Sequence, residues 1–212
     1  MRPGRFIAFE GGEGAGKSTH ARMLAEELAG RGLDVLLTRE PGGTPGAEAI
    51  RALLLGREGG DWSPRAEALL FAAARADHVE RLIRPALAEG RWVICDRFVD
   101  SSRAYQGGAG GLDDGDVLAL HRIGSGGLLP DLTLLVDIAP DEAARRLAGR
   151  DAAGTDRIGG RDGAYHARVA AAFARLAETE PWRFARIDGS GAPEAVHTRV
   201  LAALAPMLDA RR

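Results

Sequence analysis

The 212-residue sequence predicts a single α/β domain over residues 1–212, in which helices flank a five-stranded parallel sheet. Short apolar runs rich in β-forming residues alternate with stretches whose apolar residues recur at helical spacing. A glycine-rich loop joins the first strand to the first helix. The length also suits one domain, since domains commonly hold about 100–200 residues.

Five buried strands are predicted from short runs of apolar residues. They cover residues 5–10, 34–38, 92–96, 132–137 and 185–188. The carboxyl ends of parallel strands meet at one edge of a sheet, and open α/β sheets bind their ligands there. Residues that directly follow the first three strands are therefore the first candidates for a functional site.

Helical periodicity predicts a helix after each of the first two strands and further helices along the chain. These helices span residues 17–31, a stretch after the loop 41–46, 64–84, 113–123 and 194–208. The third begins where Ser63 precedes Pro64, a typical helix start, and is expected to bend near Pro85. Residues 149–163 carry few apolar side chains and are predicted to form a mobile loop inside the domain.

The composition excludes several classes of protein. The formal net charge of −2 argues against a general nucleic-acid or membrane-surface binder, which needs an excess of basic residues. No apolar run reaches the roughly 18 residues of a membrane span, and the N-terminal segment becomes charged too early for a signal peptide. The single cysteine, Cys95, excludes an internal disulfide and a cysteine zinc site. A cytoplasmic protein is expected.

Residues 11–18, GGEGAGKS, match the phosphate-binding pattern G-x-x-x-x-G-K-[ST] (the P-loop) at every fixed position. Glycines let backbone N–H groups turn towards phosphate oxygens, and the following helix adds positive partial charge at its N-terminus. Lys17 can reach the β- and γ-phosphates, and the Ser18 hydroxyl can ligate Mg²⁺. Lys17 is the only lysine in an arginine-rich chain, which indicates a need for a compact charge. The alternative is a glycine-rich turn with an incidental lysine.

Three further groups of residues narrow the chemistry, and each has a purely structural alternative. Asp96 ends the third strand, where its carboxylate supports Mg²⁺ or merely caps a turn, and Arg97 beside it can bind phosphate. Arg39 leaves the second strand at the same edge and is either a second phosphate ligand or a surface arginine. Phe71 and Arg75 share a helix face, where they either bind a base or form a core phenylalanine and a solvated arginine.

Taken together and in this order, these motifs resemble the thymidylate kinase family, which forms dTDP from dTMP and ATP. The resemblance extends from Phe6 to about Arg168 and implies the P-loop nucleoside monophosphate kinase fold with a mobile lid. Its motifs are FEG at 9–11 with the P-loop, TREPGGT at 38–44, LFAAAR at 70–75, DRF at 96–98 and SSRAYQG at 101–107. The REPGGT and AYQG segments are specific to the family, whereas the P-loop alone is not.

The resemblance implies roles for residues at matching positions. It implies ATP binding by Gly11, Gly12, Glu13, Gly14, Ala15, Gly16, Lys17, Ser18 and Thr19. It implies dTMP binding by Glu13, Arg39, Phe71, Arg75, Arg97, Ser102, Tyr105 and Gln106. Within this set Arg39 and Arg97 hold the dTMP phosphate, and Phe71 stacks on thymine. Arg75 donates to a thymine carbonyl, and Tyr105 crowds a ribose 2′-hydroxyl and so favours deoxyribose.

The resemblance also implies a cofactor, partners and catalytic groups. Mg²⁺ is held by Ser18 and Asp96, ATP and dTMP are the small-molecule partners, and the chain forms a homodimer. The implied catalytic residues are Lys17, Arg39, Arg97 and Arg150. Two other functions stay open: another nucleoside monophosphate or deoxynucleoside kinase, and a P-loop regulatory ATPase subunit that acts on a partner protein.

The position of one catalytic arginine differs within the family, since some members carry it in the P-loop and others in the lid. Residues 13–15 contain no arginine, so this sequence resembles the second type. The candidates are Arg150, which is favoured, Arg157 and Arg161. A glutamate usually follows the family's Asp-Arg-Ile segment, but Gly159 stands there. Either another acid such as Asp162 replaces it or no acid is needed.

Overall fold

A computed structural model describes residues 4–56, 61–148 and 157–209, and within these ranges five strands form one parallel sheet. The strands are β1 (Arg5–Glu10), β2 (Val35–Arg39), β3 (Trp92–Asp96), β4 (Leu132–Asp137) and β5 (Phe184–Asp188), in the order β2-β3-β1-β4-β5. The prediction of a five-stranded parallel sheet is confirmed, with small shifts at the ends of β2 and β5.

Nine α-helices and two π-helical segments, Val79–Ile83 and Arg103–Ala109, lie in the described ranges. The α-helices are α1 (Lys17–Gly30), α2 (Pro45–Leu55), α3 (Pro64–His78), α4 (Arg84–Ala88), α5 (Val99–Ser102), α6 (Asp114–Ser125), α7 (Pro140–Ala148), α8 (Gly163–Thr179) and α9 (Pro193–Asp209). Three helices, α5, α7 and α8, are not predicted from the sequence, and in α8 the many alanines dilute the hydrophobic periodicity. No helix in the described part of the chain combines the length and apolar character needed to cross a membrane.

The helix expected to bend near Pro85 changes its winding just before that residue. Residues Val79–Ile83 form a π-helical turn between α3 and α4, and the N–H of Arg84 bonds to the carbonyl of Val79. Proline has no N–H to donate, so the carbonyl one turn earlier loses its usual α-helical partner. The wider turn accommodates that loss, and the predicted bend near Pro85 stays a prediction.

Both faces of the sheet are buried. Ile7 and Phe9 of β1 pack with α1 and α9, whereas Phe6 packs on the opposite face with Val79 and Ile83. All these side chains are fully or almost fully buried, which explains why β1 reads as a continuous apolar run. The alternation along the strand thus anchors the sheet between two helical layers.

The strand register brings the candidate residues to one edge of the sheet. Phe9 of β1 and Arg39 of β2 both pair with Asp96 of β3. The P-loop after β1 therefore lies beside the ends of β2 and β3. This juxtaposition is the one expected from the shared carboxyl edge.

Candidate active site

The P-loop adopts backbone angles that only glycine takes readily. Gly14 has φ 75° and Gly16 has φ 91°, both in the left-handed region. Lys17 begins α1, is only 6% exposed, and donates from Nζ to the carbonyl of Gly12 at 2.6 Å. Burial and the neighbouring Arg97 lower the pKa of Lys17 to about 8, so the ammonium stays mainly charged at neutral pH. The loop thus holds a buried cation at the start of a helix.

Asp96 lies at the end of β3, directly opposite the first turn of α1. Its Oδ2 accepts a hydrogen bond from the Ser18 hydroxyl. Its Oδ1 is buried and has no hydrogen-bond partner among the residues that the structure describes. A buried carboxylate oxygen without a donor favours an external ligand, and oxygen ligands side by side suit Mg²⁺.

Arg97 connects the end of β3 to the P-loop. Its φ of 69° is the only positive value at a non-glycine residue among those described, and such strain is often retained at functional sites. The guanidinium donates to Glu13 Oε1 at 2.6 Å and to Ser101 Oγ at 3.2 Å, and it lies 5.2 Å from the Tyr105 ring centroid. Burial alone raises the pKa of Glu13, but Arg97 and Lys17 outweigh it and lower that pKa to about 2.

Glu10, at the end of β1, supports the segment that follows β3 and is missing from the sequence-based list of site residues. Its Oε1 accepts from the backbone N–H groups of Phe98 and Ser101 at 2.8 and 3.0 Å, and its Oε2 accepts from Ser101 Oγ at 2.6 Å. Burial, followed by the charge of Asp100, raises the pKa of Glu10 to about 7. The carboxyl therefore fixes the backbone next to Arg97.

Arg75 is buried within a network of polar side chains and does not itself line the cavity described below. Its Nε donates to Glu40 Oε2 at 2.8 Å, and its Nη2 donates to Ser102 Oγ at 2.9 Å. His78 contacts the other Glu40 oxygen at 3.1 Å and Thr38 Oγ1 at 2.8 Å. The expectation of a solvated arginine as the structural alternative is wrong, because Arg75 is only 3% exposed.

A cavity of about 230 Å³, called here the polar cavity, brings together most of the predicted site. The predicted residues that line it are Glu13, Gly14, Gly16, Lys17, Ser18, Arg39, Phe71, Asp96, Arg97, Ser102, Tyr105 and Gln106. Glu40, Arg51 and Ile158 line it as well, although none of them is predicted as a site residue from the sequence. Thr19, one residue into α1 from Ser18, is not among the lining residues.

Arg39 and Arg51 add positive charge to the lining of the polar cavity. The side chain of Arg39 is about half exposed and pairs with Glu48 at 3.0 Å, so it differs from the buried Arg97. Arg51 on α2 donates to the carbonyl of Pro41 at 2.7 Å. Together with Lys17, these arginines crowd cations into one small space, which suits phosphate groups.

The structure describes two of the three candidate lid arginines. Arg150 lies outside the described residues, as do all of residues 149–156. Arg157 and Arg161 both contact Glu67 of α3 at 2.6 Å, and Glu67 in turn contacts Gln106, which lines the polar cavity. The rest of the loop predicted at 149–163 is a turn that ends where α8 starts at Gly163.

Asp162 caps α8 by accepting from the N–H of Tyr165 at 2.7 Å. This bond satisfies one of the free donors at the helix N-terminus. The idea that Asp162 stands in for the acid missing at Gly159 has no support in its contacts, since its side chain holds the helix start. The carbonyl oxygen of Gly159 lies 3.3 Å from Nε2 of His166.

A second cavity, called here the apolar cavity, lies on the other side of the P-loop and measures about 430 Å³. Its walls are the P-loop, the end of β4, α7 and α8. Gly11, Gly12, Glu13 and Ala15 line it from the P-loop. The opposite wall consists mainly of small or apolar side chains such as Leu147, Ala170 and Phe173.

The chain is similar to known proteins over most of its length. The family model described as Thymidylate kinase matches residues 9–200. A thymidylate kinase from Rhizorhabdus wittichii is 59% identical over 206 residues, covering 97% of this chain and 99% of that protein. A thymidylate kinase from Bradyrhizobium diazoefficiens is 48% identical over 202 residues, covering 95% and 89%. The crystal structure of thymidylate kinase from Ehrlichia chaffeensis superposes with a TM-score of 0.77 at 32% identity, covering 96% of this chain and 100% of that one.

Proposed function

The chain belongs to the thymidylate kinase family, and from this membership and the site geometry we propose that it transfers the terminal phosphoryl group of ATP to dTMP. The product is dTDP, and the activity belongs to nucleotide biosynthesis. The observation that carries this function is the polar cavity, where a P-loop faces further arginines and an aromatic side chain, Phe71, that can stack on a base. A binding site for a second phosphate ester beside a P-loop is what a nucleotide kinase needs.

The acceptor nucleotide occupies the polar cavity in this proposal. Arg39 and Arg97 hold the dTMP phosphate, since both are arginines that line the cavity near Lys17. Phe71 stacks on thymine, and Gln106 faces its edge. Arg75 does not line the cavity but holds Glu40 and Ser102, which do, so it supports the base site through these two side chains.

The ATP phosphates lie in the P-loop, where backbone N–H groups and Lys17 neutralise them. Asp96 and Ser18 would hold Mg²⁺, which would spread the charge that builds up on the transferred phosphoryl group. The partnerless Oδ1 of Asp96 supports this assignment. One further arginine completes the catalytic set. The candidates are Arg150, which the resemblance favours, and Arg157 and Arg161, which contact Glu67.

The transfer needs no general base in this proposal. A phosphate monoester has a second pKa near 6, so a dTMP oxygen is already anionic at neutral pH. Glu13 is unsuited to take a proton, because its pKa is lowered to about 2 and it accepts from Arg97 and Tyr105. Catalysis then depends on positioning two anionic groups and neutralising their charge.

We also propose that the protein is a cytoplasmic homodimer and that one domain carries both nucleotide sites. Leu69 on α3 is 55% exposed and Ile123 on α6 is 80% exposed. These two helices pack closely, since a Cβ added at Gly124 of α6 would lie 3.2 Å from the Ala76 side chain of α3. Exposed apolar residues on adjacent helices favour a protein–protein contact, which sedimentation of the purified chain tests directly.

An ADP-release assay with an acceptor panel tests the function. We expect dTMP to stimulate ADP release far more than dCMP, AMP, GMP or thymidine, with dUMP as the nearest competitor. Preferred use of another acceptor would establish a different kinase on the same scaffold. ATP hydrolysis that requires a partner protein and ignores dTMP would instead support the regulatory ATPase.

A further inference from the structure

Glu67, in the first turn of α3, is a buried carboxylate that the proposed reaction does not use. It is only 2% exposed. Its Oε2 accepts from Arg157 and from Arg161, each at 2.6 Å. Its Oε1 accepts from the Gln106 side-chain nitrogen at 3.0 Å. Three donors thus meet on one side chain, and one of them, Gln106, lines the polar cavity.

The charge of Glu67 determines what its third partner presents to it. A buried carboxylate in contact with two guanidinium cations is ionised, and an ionised carboxylate only accepts hydrogen bonds. Gln106 can therefore approach Glu67 only with its NH₂ group. Reversing the amide would place its carbonyl oxygen against the carboxylate, and two acceptors in contact at a buried site repel each other.

We propose that Glu67 is a specificity-determining positioning residue, which turns the Gln106 amide so that its carbonyl oxygen faces the base of the acceptor nucleotide. This inference rests on the proposed function, since it assumes that a nucleotide base lies in the polar cavity. Gln106 lines that cavity, yet its side chain is almost fully buried, so it has little freedom to adjust. The polarity of this contact is thus set before the ligand arrives.

The fixed carbonyl separates pyrimidines by what they offer at ring nitrogen N3. Thymine and uracil carry an N3–H, which donates to the Gln106 carbonyl. Cytosine has an unprotonated N3, so it would present an acceptor to an acceptor. A site built around one hydrogen-bond polarity strongly rejects a ligand of the opposite polarity. Glu67 therefore excludes dCMP without touching it.

The substitution Glu67→Gln tests this role. It keeps the size of the side chain but removes its charge, and it lets the residue at 67 donate or accept. Gln106 can then reverse its amide, so we expect kcat/KM for dTMP over that for dCMP to fall by about tenfold or more. The ratio of dTMP to dUMP should stay unchanged, because these two bases are alike at N3. Glu178→Gln, an exposed change on α8, is the matched control and should leave both ratios unchanged.

Two results would overturn the proposal while leaving the proposed function intact. One is an equal loss of activity on dTMP, dUMP and dCMP, which would indicate a merely structural role for Glu67. The other is an unchanged dTMP to dCMP ratio in a well-folded variant. A native chain that fails to phosphorylate dTMP would instead contradict the proposed function itself.

A second measurement needs no variant and so does not depend on Glu67→Gln folding. Gln106 is the only glutamine and the chain has no asparagine, so one side-chain amide pair is present in a nitrogen-15 NMR spectrum. We expect its protons to be protected from exchange in the free protein and to stay protected when dTMP binds, because the NH₂ remains on Glu67. Fast exchange in the free protein, or loss of protection on binding dTMP, would contradict the inference.

Discussion

The two sides of the P-loop are built differently. The polar cavity, towards α3 and the segment after β3, is lined by paired charges such as Arg97 with Glu13. The apolar cavity, towards α7 and α8, is larger and lined mainly by small or apolar side chains. On the first side the side chains already hold one another in place, whereas on the second the P-loop backbone itself forms the wall.

This difference matches what each substrate requires. Phosphates of a nucleoside triphosphate are bound by backbone N–H groups and one lysine, which any P-loop protein can supply. An acceptor nucleotide must be distinguished from close analogues, and fixed polar side chains are needed for that. We therefore expect the polar cavity to determine which acceptor is used, and changes to Lys17 to impair the use of all acceptors alike.

The largest expected effect comes from Lys17→Ala. We expect kcat to fall by more than about 100-fold, roughly 3 kcal/mol or more, because the buried ammonium neutralises the transferred phosphate. The loss should be the same with dTMP and dUMP as acceptors. Steady-state kinetics measure it, with Arg22→Ala on the exposed side of α1 as the control. A variant within tenfold of the native rate would refute the assignment of Lys17.

A second prediction concerns the free energy of unfolding and the buried carboxyl of Glu10. Its pKa is raised from 4.5 to about 7, so the folded chain retains a proton that the unfolded chain has released. The stability due to this proton is fully present below pH 4.5 and is lost as the pH rises through 7. Glu10→Gln mimics the protonated form. As the pH rises across this range, its free energy of unfolding should increase relative to that of the native chain by up to roughly 3 kcal/mol.

Urea unfolding of both proteins at several pH values between 4 and about 8.5 measures this difference. Glu26→Gln, an exposed change on α1, serves as the control and should leave the pH dependence as it is. A difference between native and Glu10→Gln that does not vary with pH would show that the pKa of Glu10 is the same in the folded and the unfolded chain. Glu13 does not interfere, since its pKa of about 2 lies below this range.

The third prediction separates the two substrates. We expect Arg75→Ala to raise the KM for dTMP about 30-fold, roughly 2 kcal/mol, and the KM for ATP by less than about twofold. The change also leaves Glu40 buried with His78 alone, so the melting temperature is measured alongside. Arg81→Ala, which removes an exposed ion pair with Asp77, is the control. Equal rises in both KM values would show that Arg75 does not support binding of the base specifically.

Local sequence patterns predict the parts of this molecule that local forces determine. The strands are confirmed because both faces of the sheet are buried, and a buried strand needs a continuous apolar run. The P-loop is found where its pattern places it, because its glycines are needed for left-handed backbone at Gly14 and Gly16. Asp96 and Arg39 meet at the expected edge, since parallel register follows from the strand assignments.

The networks that support the site are not predictable in this way. Glu67 contacts Gln106, Arg157 and Arg161, which are 39, 90 and 94 residues away in the sequence. An acid in the first turn of a helix is common, because it interacts favourably with the helix dipole, so Glu67 carries no special signal. Glu10 likewise reads as the charged end of a strand. Such groups acquire their roles only when the fold assembles distant donors around them.

The smallest expected effect comes from Tyr105→Phe, which tests how much a single hydrogen bond between side chains of the polar cavity contributes to activity. Tyr105 donates to Glu13 Oε1 at 3.0 Å, and burial raises the pKa of its hydroxyl, so it remains a donor. Tyr105→Phe removes this bond but keeps the ring beside Arg97, so we expect kcat/KM for dTMP to fall about fivefold, roughly 1 kcal/mol. Tyr165→Phe removes a bond of 2.8 Å to the Tyr105 carbonyl and should lower the melting temperature with little change in KM. If Tyr105→Phe lost more than about 100-fold, the hydroxyl would be acting on the substrate itself, because one bond between neighbouring side chains is not worth that much.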